Sequence, residues 1–277
     1  MTPERVLIDW HTHVWLVEHF GGMQNTPAGT DVSRGAPALH RDAMRTVDRY
    51  VIVGLQLPWI HIPNEFVARQ VAESDGRAVG FASVDPQRDG AAAEFERAVT
   101  ELGLRGLKLS PVYQGFDPRT EKAWLLYELA DRLGVPVMFH VGGAAPASAT
   151  LEHGSPLLLD PVARAFPRLK IIVAHLGQPQ MGETVMLLRK QPNVFADLSA
   201  RFHRPWQLYN GLVLAMEYGV WDKLLFGSDF PIRSPAEAVQ LFRRLNKMVE
   251  GTNLPQITDQ MIDSILYERP LELLDLQ

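Results

Sequence analysis

The sequence predicts an α/β fold, a single (β/α)8 TIM barrel with a C-terminal helical tail, and three observations carry that expectation. Short apolar runs recur along the 277 residues, each followed by a longer segment of helical character. No Pro/Gly/Ser-rich linker divides the chain, so residues 1–277 read as one domain. Polar residues suited to metal chemistry end both early and late runs, and a closed barrel gathers the ends of all its strands on one face, which an open doubly wound sheet does not.

The first run, Val6–Val14, precedes Glu18–Leu39, a glycine-rich stretch without periodicity that reads as a long loop. Seven further runs follow at Tyr50–Leu55, Ala78–Val84, Gly106–Leu109, Val135–His140, Leu169–His175, Val194–Leu198 and Lys223–Ser228. Their near-continuous apolar character is that of parallel strands buried on both faces. Between them the pattern predicts helices over Asn64–Ser74, Gly90–Leu102, Glu121–Leu133, Leu157–Phe166, Glu183–Lys190, Pro205–Tyr218 and Pro235–Asn246. Gly134 stands where a helix end often takes positive φ, and Pro205 and Pro235 stand in first turns, where a missing N–H costs no hydrogen bond. The tail, Thr258–Leu276, is expected to be helical and to pack on the outside of the barrel.

Composition narrows the function. A hydrophobic fraction of 46% with 21% charged residues is that of an ordinary globular protein. The net charge of −5 argues against nucleic acid as a partner, because a phosphate-backbone binder presents a basic surface. With no cysteine there is neither a disulfide framework nor a thiolate site, and metal ligands must come from His, Asp, Glu or a modified Lys. No apolar stretch reaches the roughly 18 residues of a membrane span, and the first residues lead into a strand without a signal-like apolar region, so a cytoplasmic protein with no membrane partner is expected. The expected partners are a small-molecule substrate and, for assembly, further copies of the chain as a homo-oligomer.

The chemistry concentrates at strand ends. His11-Thr12-His13 closes the first strand, and because side chains alternate, both imidazoles face one side. His140 ends the fifth strand, His175 the sixth and Asp229 the eighth, which makes five metal-competent groups on the face where barrel active sites lie. Asp197 ends the seventh strand, where it could orient a neighbour through a hydrogen bond. Lys108 ends the fourth and reads as a substrate contact. Arg201, His203 and Arg204 follow strand 7 and Arg233 follows strand 8; overhanging the same mouth, the arginines suit a carboxylate-bearing substrate.

The segments Ile8-Asp9-Trp10-His11-Thr12-His13, Gly106-Leu107-Lys108-Leu109-Ser110-Pro111, Phe139-His140, Ala174-His175-Leu176-Gly177 and Phe226-Gly227-Ser228-Asp229-Phe230-Pro231 together resemble the amidohydrolase superfamily. The similarity is to its amidohydrolase-related branch, which includes aminocarboxymuconate-semialdehyde decarboxylase-like enzymes, and it covers nearly the whole chain. It implies that His11, His13, His140 and Asp229 hold one divalent metal ion, Zn2+ or Mn2+, with His175 beside the open position as the proton carrier and Asp229 also serving catalysis. In binuclear relatives a carbamylated lysine at the place of Lys108 bridges two ions; this chain is more similar to the mononuclear branch. Ser110 stands where many relatives carry histidine, so substrate contact there differs.

The activity implied is hydrolysis of a small, carboxylate-bearing ester, lactone or amide by a metal-activated water. The alternatives are a metal-dependent decarboxylase of an unsaturated or aromatic acid, and a metal-free lactonase or non-catalytic binding protein on the same barrel.

Overall fold

The computed structural model describes residues 5–21 and 31–276. Residues 22–30, the middle of the expected Glu18–Leu39 loop, lie outside the described residues.

Eight parallel strands hydrogen-bond in chain order: β1 (Ile8–Thr12), β2 (Arg49–Val53), β3 (Ala78–Ser83), β4 (Leu107–Leu109), β5 (Val137–Phe139), β6 (Ile171–Val173), β7 (Val194–Asp197) and β8 (Leu224–Leu225). The ring closes just beyond β8, where Trp10 N–H donates to Phe226 C=O at 2.9 Å, Asp229 N–H to His11 C=O at 2.9 Å and His13 N–H to Phe230 C=O at 2.9 Å. Every expected strand is present, most of them shorter at their ends than the apolar run suggested, although β2 begins one residue earlier, at Arg49. Helices cover the outside as expected, among them Asn64–Ala72, Ala91–Thr100, Glu121–Leu133, Met181–Lys190, Pro205–Glu217 and Pro235–Arg243. Gly134 takes φ 66° at its helix end. No helix among the described residues is long and apolar enough to cross a membrane.

Alternation along the strands builds two apolar layers. Tyr50, Ile52, Leu107, Val137, Val173 and Ala196 face outward under the helices, while Ile8, Trp10, Val51, Val79, Phe81, Met138, Ile172, Phe195 and Leu225 fill the barrel. Phe81 reaches the interior because Gly106, just before the next strand, leaves room; a Cβ there would lie 2.5 Å from its ring. The pairing of β1 with β2 shifts register between Asp9 and Thr12. This extra residue lets Trp10 fill the interior while His11 and His13 point into the mouth above it, and it turns Thr12 outward, where its hydroxyl donates to Val51 C=O at 2.8 Å.

Two connections differ from expectation. A helix at Pro37–Ala43 and a two-stranded hairpin, Gln56–Leu57 with Ile60–His61, occupy segments read as loop. The tail is corrected in part: Asp259–Tyr267 is an outer helix, but the chain then turns at Pro270 and buries Leu271, Leu274 and Leu276 against Ile8, Trp10 and the other interior residues. An eight-stranded barrel has an apolar interior open at both ends, and these three leucines close the end opposite the site.

Candidate active site

Each metal-competent side chain stands on, or just past, a strand end at one mouth. Three of the four histidines, His11, His13 and His175, share a hydrogen-bonding pattern. Nδ1 of His11 lies 2.9 Å from Oδ2 of Asp197, Nδ1 of His13 lies 2.7 Å from the Val53 carbonyl, and Nδ1 of His175 lies 3.2 Å from the Ser199 carbonyl and 2.7 Å from its hydroxyl. A carboxylate and a carbonyl only accept, so in each ring the proton sits on Nδ1 and a neutral ring presents its Nε2 lone pair.

Those lone pairs converge. Nε2 of His11 and Nε2 of His13 are 3.2 Å apart, Oδ1 of Asp229 lies 3.3 Å from Nε2 of His13 and 3.8 Å from that of His11, and the donor atoms of His11, His175 and Asp229 all lie within 4.8 Å of one another. Acceptors this close repel unless a cation lies among them. Ligands about 2.0–2.1 Å from a tetrahedral zinc ion stand roughly 3.3 Å from one another. The donor set therefore fits a divalent ion.

Electrostatics agree. Burial alone raises Asp229, but the imidazoles of His175, His13 and His11 hold its carboxyl well below the usual range. Asp197 behaves alike: burial opposes ionisation, yet His11, His175 and the Ser199 hydroxyl keep it ionised far into acid. Burial lowers His175 to about 3 and places His140 well below the ordinary imidazole value, the latter with help from His175 and Lys108. Neutral imidazoles beside ionised carboxylates are the protonation states a metal requires.

Lys108 is buried with Nζ 3.3 Å from Nε2 of His11 and 3.6 Å from the sulfur of Met138; burial lowers it to about 8, against the pull of Asp197 and Asp229. His140 lines the same cavity, its Nε2 making a 3.5 Å contact with the Gly143 carbonyl and its ring 4.9 Å from that of His175. Sequence reasoning placed His140 nearest the ion and His175 beside it; in the structure it is His175 whose donor atom groups with His11 and Asp229.

Arg201 is buried, with Nε lacking a hydrogen-bond partner among the described residues and one Nη 3.4 Å from Gln207; burial and the neighbouring Arg204 lower it to about 10. Arg204 is exposed and Arg233 half-buried, its guanidinium donating to the Ile232 carbonyl at 2.8 Å. Burial lowers His203, and the charges of Arg201, Arg233 and Arg204 add to the effect, so the three guanidinium groups form one positive cluster around it. None of the three arginines lines the cavity itself, an open space of about 180 Å³ lined by His13, Trp15, Leu55, Leu57, Trp59, Lys108, Ser110, Tyr113, His140, His175, Asp229, Pro231 and Ile232.

Several contributors escaped sequence reasoning. Trp59, on the hairpin turn, meets Tyr113 edge to face at 5.2 Å, and Tyr113 lies 4.6 Å from the His140 ring, so the hairpin and the turn after β4 form an aromatic wall. Ser199 gave no signal beyond its place two residues after Asp197. Gly227 holds β8 against both: a Cβ there would sit 3.0 Å from Cβ of His11 and of Ser199.

Known proteins extend this picture. The amidohydrolase family profile matches residues 8–276. A γ-resorcylate decarboxylase of Polaromonas sp. (strain JS666) is 30% identical over 147 residues, 42% of this chain and 43% of that protein. A 2-keto-4-carboxy-3-hexenedioate hydratase of Sphingobium sp. is 29% identical over 168 residues, 54% of this chain and 48% of that one. These matches thus span somewhat under half the length of either relative. Among solved structures, a probable 2-pyrone-4,6-dicarboxylic acid hydrolase of Acinetobacter baumannii with bound citric acid superposes with TM-score 0.70 at 17% identity, covering 97% of this chain and 98% of that one. A dihydroxybenzoic acid decarboxylase of Polaromonas sp. JS666 with bound manganese and 2-nitroresorcinol superposes at 0.68 and 18% identity, covering 98% and 97%. With the family match running nearly from end to end, this chain belongs to the amidohydrolase family.

Proposed function

We propose that this chain is a metal-dependent carboxy-lyase acting on a small, planar, unsaturated or aromatic acid. The observation that carries the metal is the convergence of His11, His13 and Asp229, whose donor atoms stand 3.2 and 3.3 Å apart. The proposed ligand set is His11, His13, His140 and Asp229, with one Zn2+ or Mn2+ ion, and His175 is assigned proton transfer. When bound, the ion supplies Lewis acidity toward the substrate's oxygen atoms.

The substrate class follows from the cavity. An apolar space of about 150 Å³ holds benzene, so about 180 Å³ walled by Trp15, Trp59 and Tyr113 suits one ring with small substituents. Loss of CO2 disperses the charge of a localised carboxylate, and apolar walls that exclude water favour that change. Lys108 and the buried Arg201 supply positive charge for the acid group at the inner and outer ends of the path, with Arg204 and Arg233 at the rim. The decarboxylase named among the relatives supports this chemistry.

Hydrolysis is the second reading. His175 presents its Nε2 lone pair to the cavity, as a base that accepts a proton from water must. A relative named as a hydratase, which also handles water, supports it.

The test combines metal analysis with a substrate panel of hydroxybenzoates, unsaturated diacids, lactones and esters. Stoichiometric metal, CO2 release from a one-ring acid, and loss of both in His11→Ala, His13→Ala and Asp229→Ala are expected. Full metal content in all three variants refutes the centre; turnover of lactones or esters without CO2 release replaces the carboxy-lyase with a hydrolase. His140→Ala and His175→Asn separate the two remaining roles: the first is expected to lose metal, the second to keep it and lose about 10²–10⁴-fold in kcat.

A further inference from the structure

We propose that Ser199, acting with Asp197, is the positioning residue that fixes His175 as its Nδ1–H tautomer and so aims the Nε2 lone pair into the cavity. The importance of that lone pair rests on the function proposed above; the hydrogen-bond argument does not.

The proton positions follow from what each atom can do. The Ser199 hydroxyl has one hydrogen. Its oxygen contacts Oδ1 of Asp197, which only accepts, Nδ1 of His175 at 2.7 Å and, at the longer distance of 3.2 Å, Nδ1 of His11, which donates. Given to Asp197, that hydrogen leaves a serine lone pair for a proton on His175, and every contact is satisfied. Given instead to His175, it leaves two bare oxygens in close contact and sets the Nδ1 lone pair against the Ser199 carbonyl 3.2 Å away. Unrelieved contacts between buried acceptors cost about 1–3 kcal/mol each, so the first arrangement holds.

The same carboxylate fixes both partners in place. Oδ1 of Asp197 accepts from the backbone N–H of His175 at 3.0 Å and of Ser199 at 3.0 Å, which ties the imidazole's own residue and its hydroxyl partner to one buried anchor. His11 donates chiefly to Oδ2, 2.9 Å from its Nδ1, and lies 3.2 Å from the Ser199 hydroxyl, so removing that hydroxyl leaves the shorter of its two contacts intact. In its neutral form His175 is thus an acceptor at Nε2. A proton must arrive there before one can be delivered from it, and the resulting imidazolium is held by Ser199 and, through it, by Asp197.

The experiment is nitrogen-15 NMR of histidine-labelled full chain with zinc added, with the His175 signals identified by their loss in His175→Asn. The expected wild-type pattern is a protonated, slowly exchanging Nδ1 and an unprotonated Nε2. Ser199→Ala is expected to speed exchange of that Nδ1 proton at least tenfold, and Ser199→Thr, which keeps the hydroxyl, to restore it. A proton on Nε2 of wild-type His175 overturns the proposal, as does a Ser199→Ala protein whose Nδ1 proton exchanges as slowly as in wild type. Should Ser199→Ala fail to fold, the wild-type spectrum still decides the tautomer and Ser199→Thr the hydroxyl's part, since rescue by threonine is required. On a turned-over substrate, Ser199→Ala is expected to lose about 10- to 100-fold in kcat with KM within about twofold; equal losses in kcat for alanine and threonine overturn the positioning role. If no panel compound is turned over, the carboxy-lyase reading fails while the NMR result stands.

Discussion

Asp197→Asn is the most informative single change, because one carboxylate accepts from four donors: His11 Nδ1–H at 2.9 Å, the His175 and Ser199 backbone N–H groups at 3.0 Å each, and the Ser199 hydroxyl. An amide has one accepting oxygen. Placed at Oδ1 it keeps three of the four bonds and turns its NH2 toward His11. Two donors then face each other, and His11 resolves the conflict by moving its proton to Nε2, the atom 3.2 Å from Nε2 of His13 where the ion is proposed to bind. Disrupting the partner of a ligating histidine lowers metal affinity by about 10- to 100-fold, roughly 1.4–2.7 kcal/mol. The charge-assisted bond to His11 is worth about 1.5–3 kcal/mol to folding, offset in part because asparagine buries no charge.

Two measurements check this. Zinc titration against a competing chelator is expected to show the affinity loss with the fold unchanged by circular dichroism. Urea melts across pH carry the second signature. The folded carboxyl of Asp197 is held below its unfolded value of about 3.9, so its contribution is present above that pH and fades as pH falls below about 4. Asp229 shares the direction of shift in both proteins, so the wild-type-minus-variant difference isolates Asp197: largest near neutrality, shrinking in acid. Unchanged zinc affinity, or a stability difference that grows as pH falls, refutes the reasoning.

Three further outcomes follow from the geometry. Arg201→Ala, which removes a buried guanidinium without a carboxylate partner within salt-bridge distance among the described residues, is expected to raise KM at least tenfold for anionic substrates and far less for neutral isosteres; equal effects on both refute the anion role. Leu274→Ala opens the closed end of the barrel and should cost about 2–5 kcal/mol in a urea melt, with zinc affinity unchanged; a loss under 1 kcal/mol means that the leucines do not seal the interior. Trp59→Ala should widen the cavity and let two-ring acids compete with one-ring acids for binding, read by calorimetry; an unaltered preference removes the hairpin from selectivity.

How much of this was legible in the chain depends on where each signal lives. Strands buried on both faces write themselves as apolar runs, so all eight could be located, and a histidine or aspartate ending such a run announced the mouth. The bulge in β1 left no mark, because it changes which residue pairs with which and not the residue types. The hairpin at Gln56–His61 is too short for periodicity to register, and the part that Trp59 and Tyr113 play comes from contacts between segments more than 50 residues apart. The end of the tail differs for a physical reason: Leu271 and Leu274 have the i, i+3 spacing of a helix face, which serves equally to cover the outside of a barrel or to close its end. Asp197 was recognised as an orienting group, yet Ser199 was not, since a serine after a strand has no chemistry until its neighbours are known.

The backbone explains why strand ends can serve as a site at all. A strand that simply continued would carry its next side chain away along the barrel axis. Here the chain turns abruptly at His175 (φ 58°), Leu176 (φ 53°), Ala200 (φ 54°) and Asp229 (φ 59°), left-handed conformations that cost a residue with a Cβ about 1–2 kcal/mol each. Glycine would relieve that strain at every one of these positions. At 175 and 229 it would also delete an imidazole and a carboxylate, and the local hydrogen bonds show how the conformation is held: Asp197 accepts the His175 N–H, His11 C=O accepts the Asp229 N–H, and Asp229 C=O accepts the Ile232 N–H at 2.7 Å. Leu176 is retained for packing, buried against the flat face left by Gly211, where a Cβ would come within 2.6 Å of it. Strained non-glycine residues clustered at one mouth, with His175 and Asp229 tied down by hydrogen bonds to Asp197 and His11, suit a preorganised metal centre. The strain and the network stand or fall together: a variant that frees Asp197 from His175 should relax the turn and scatter the donors, even with every proposed ligand still in the sequence.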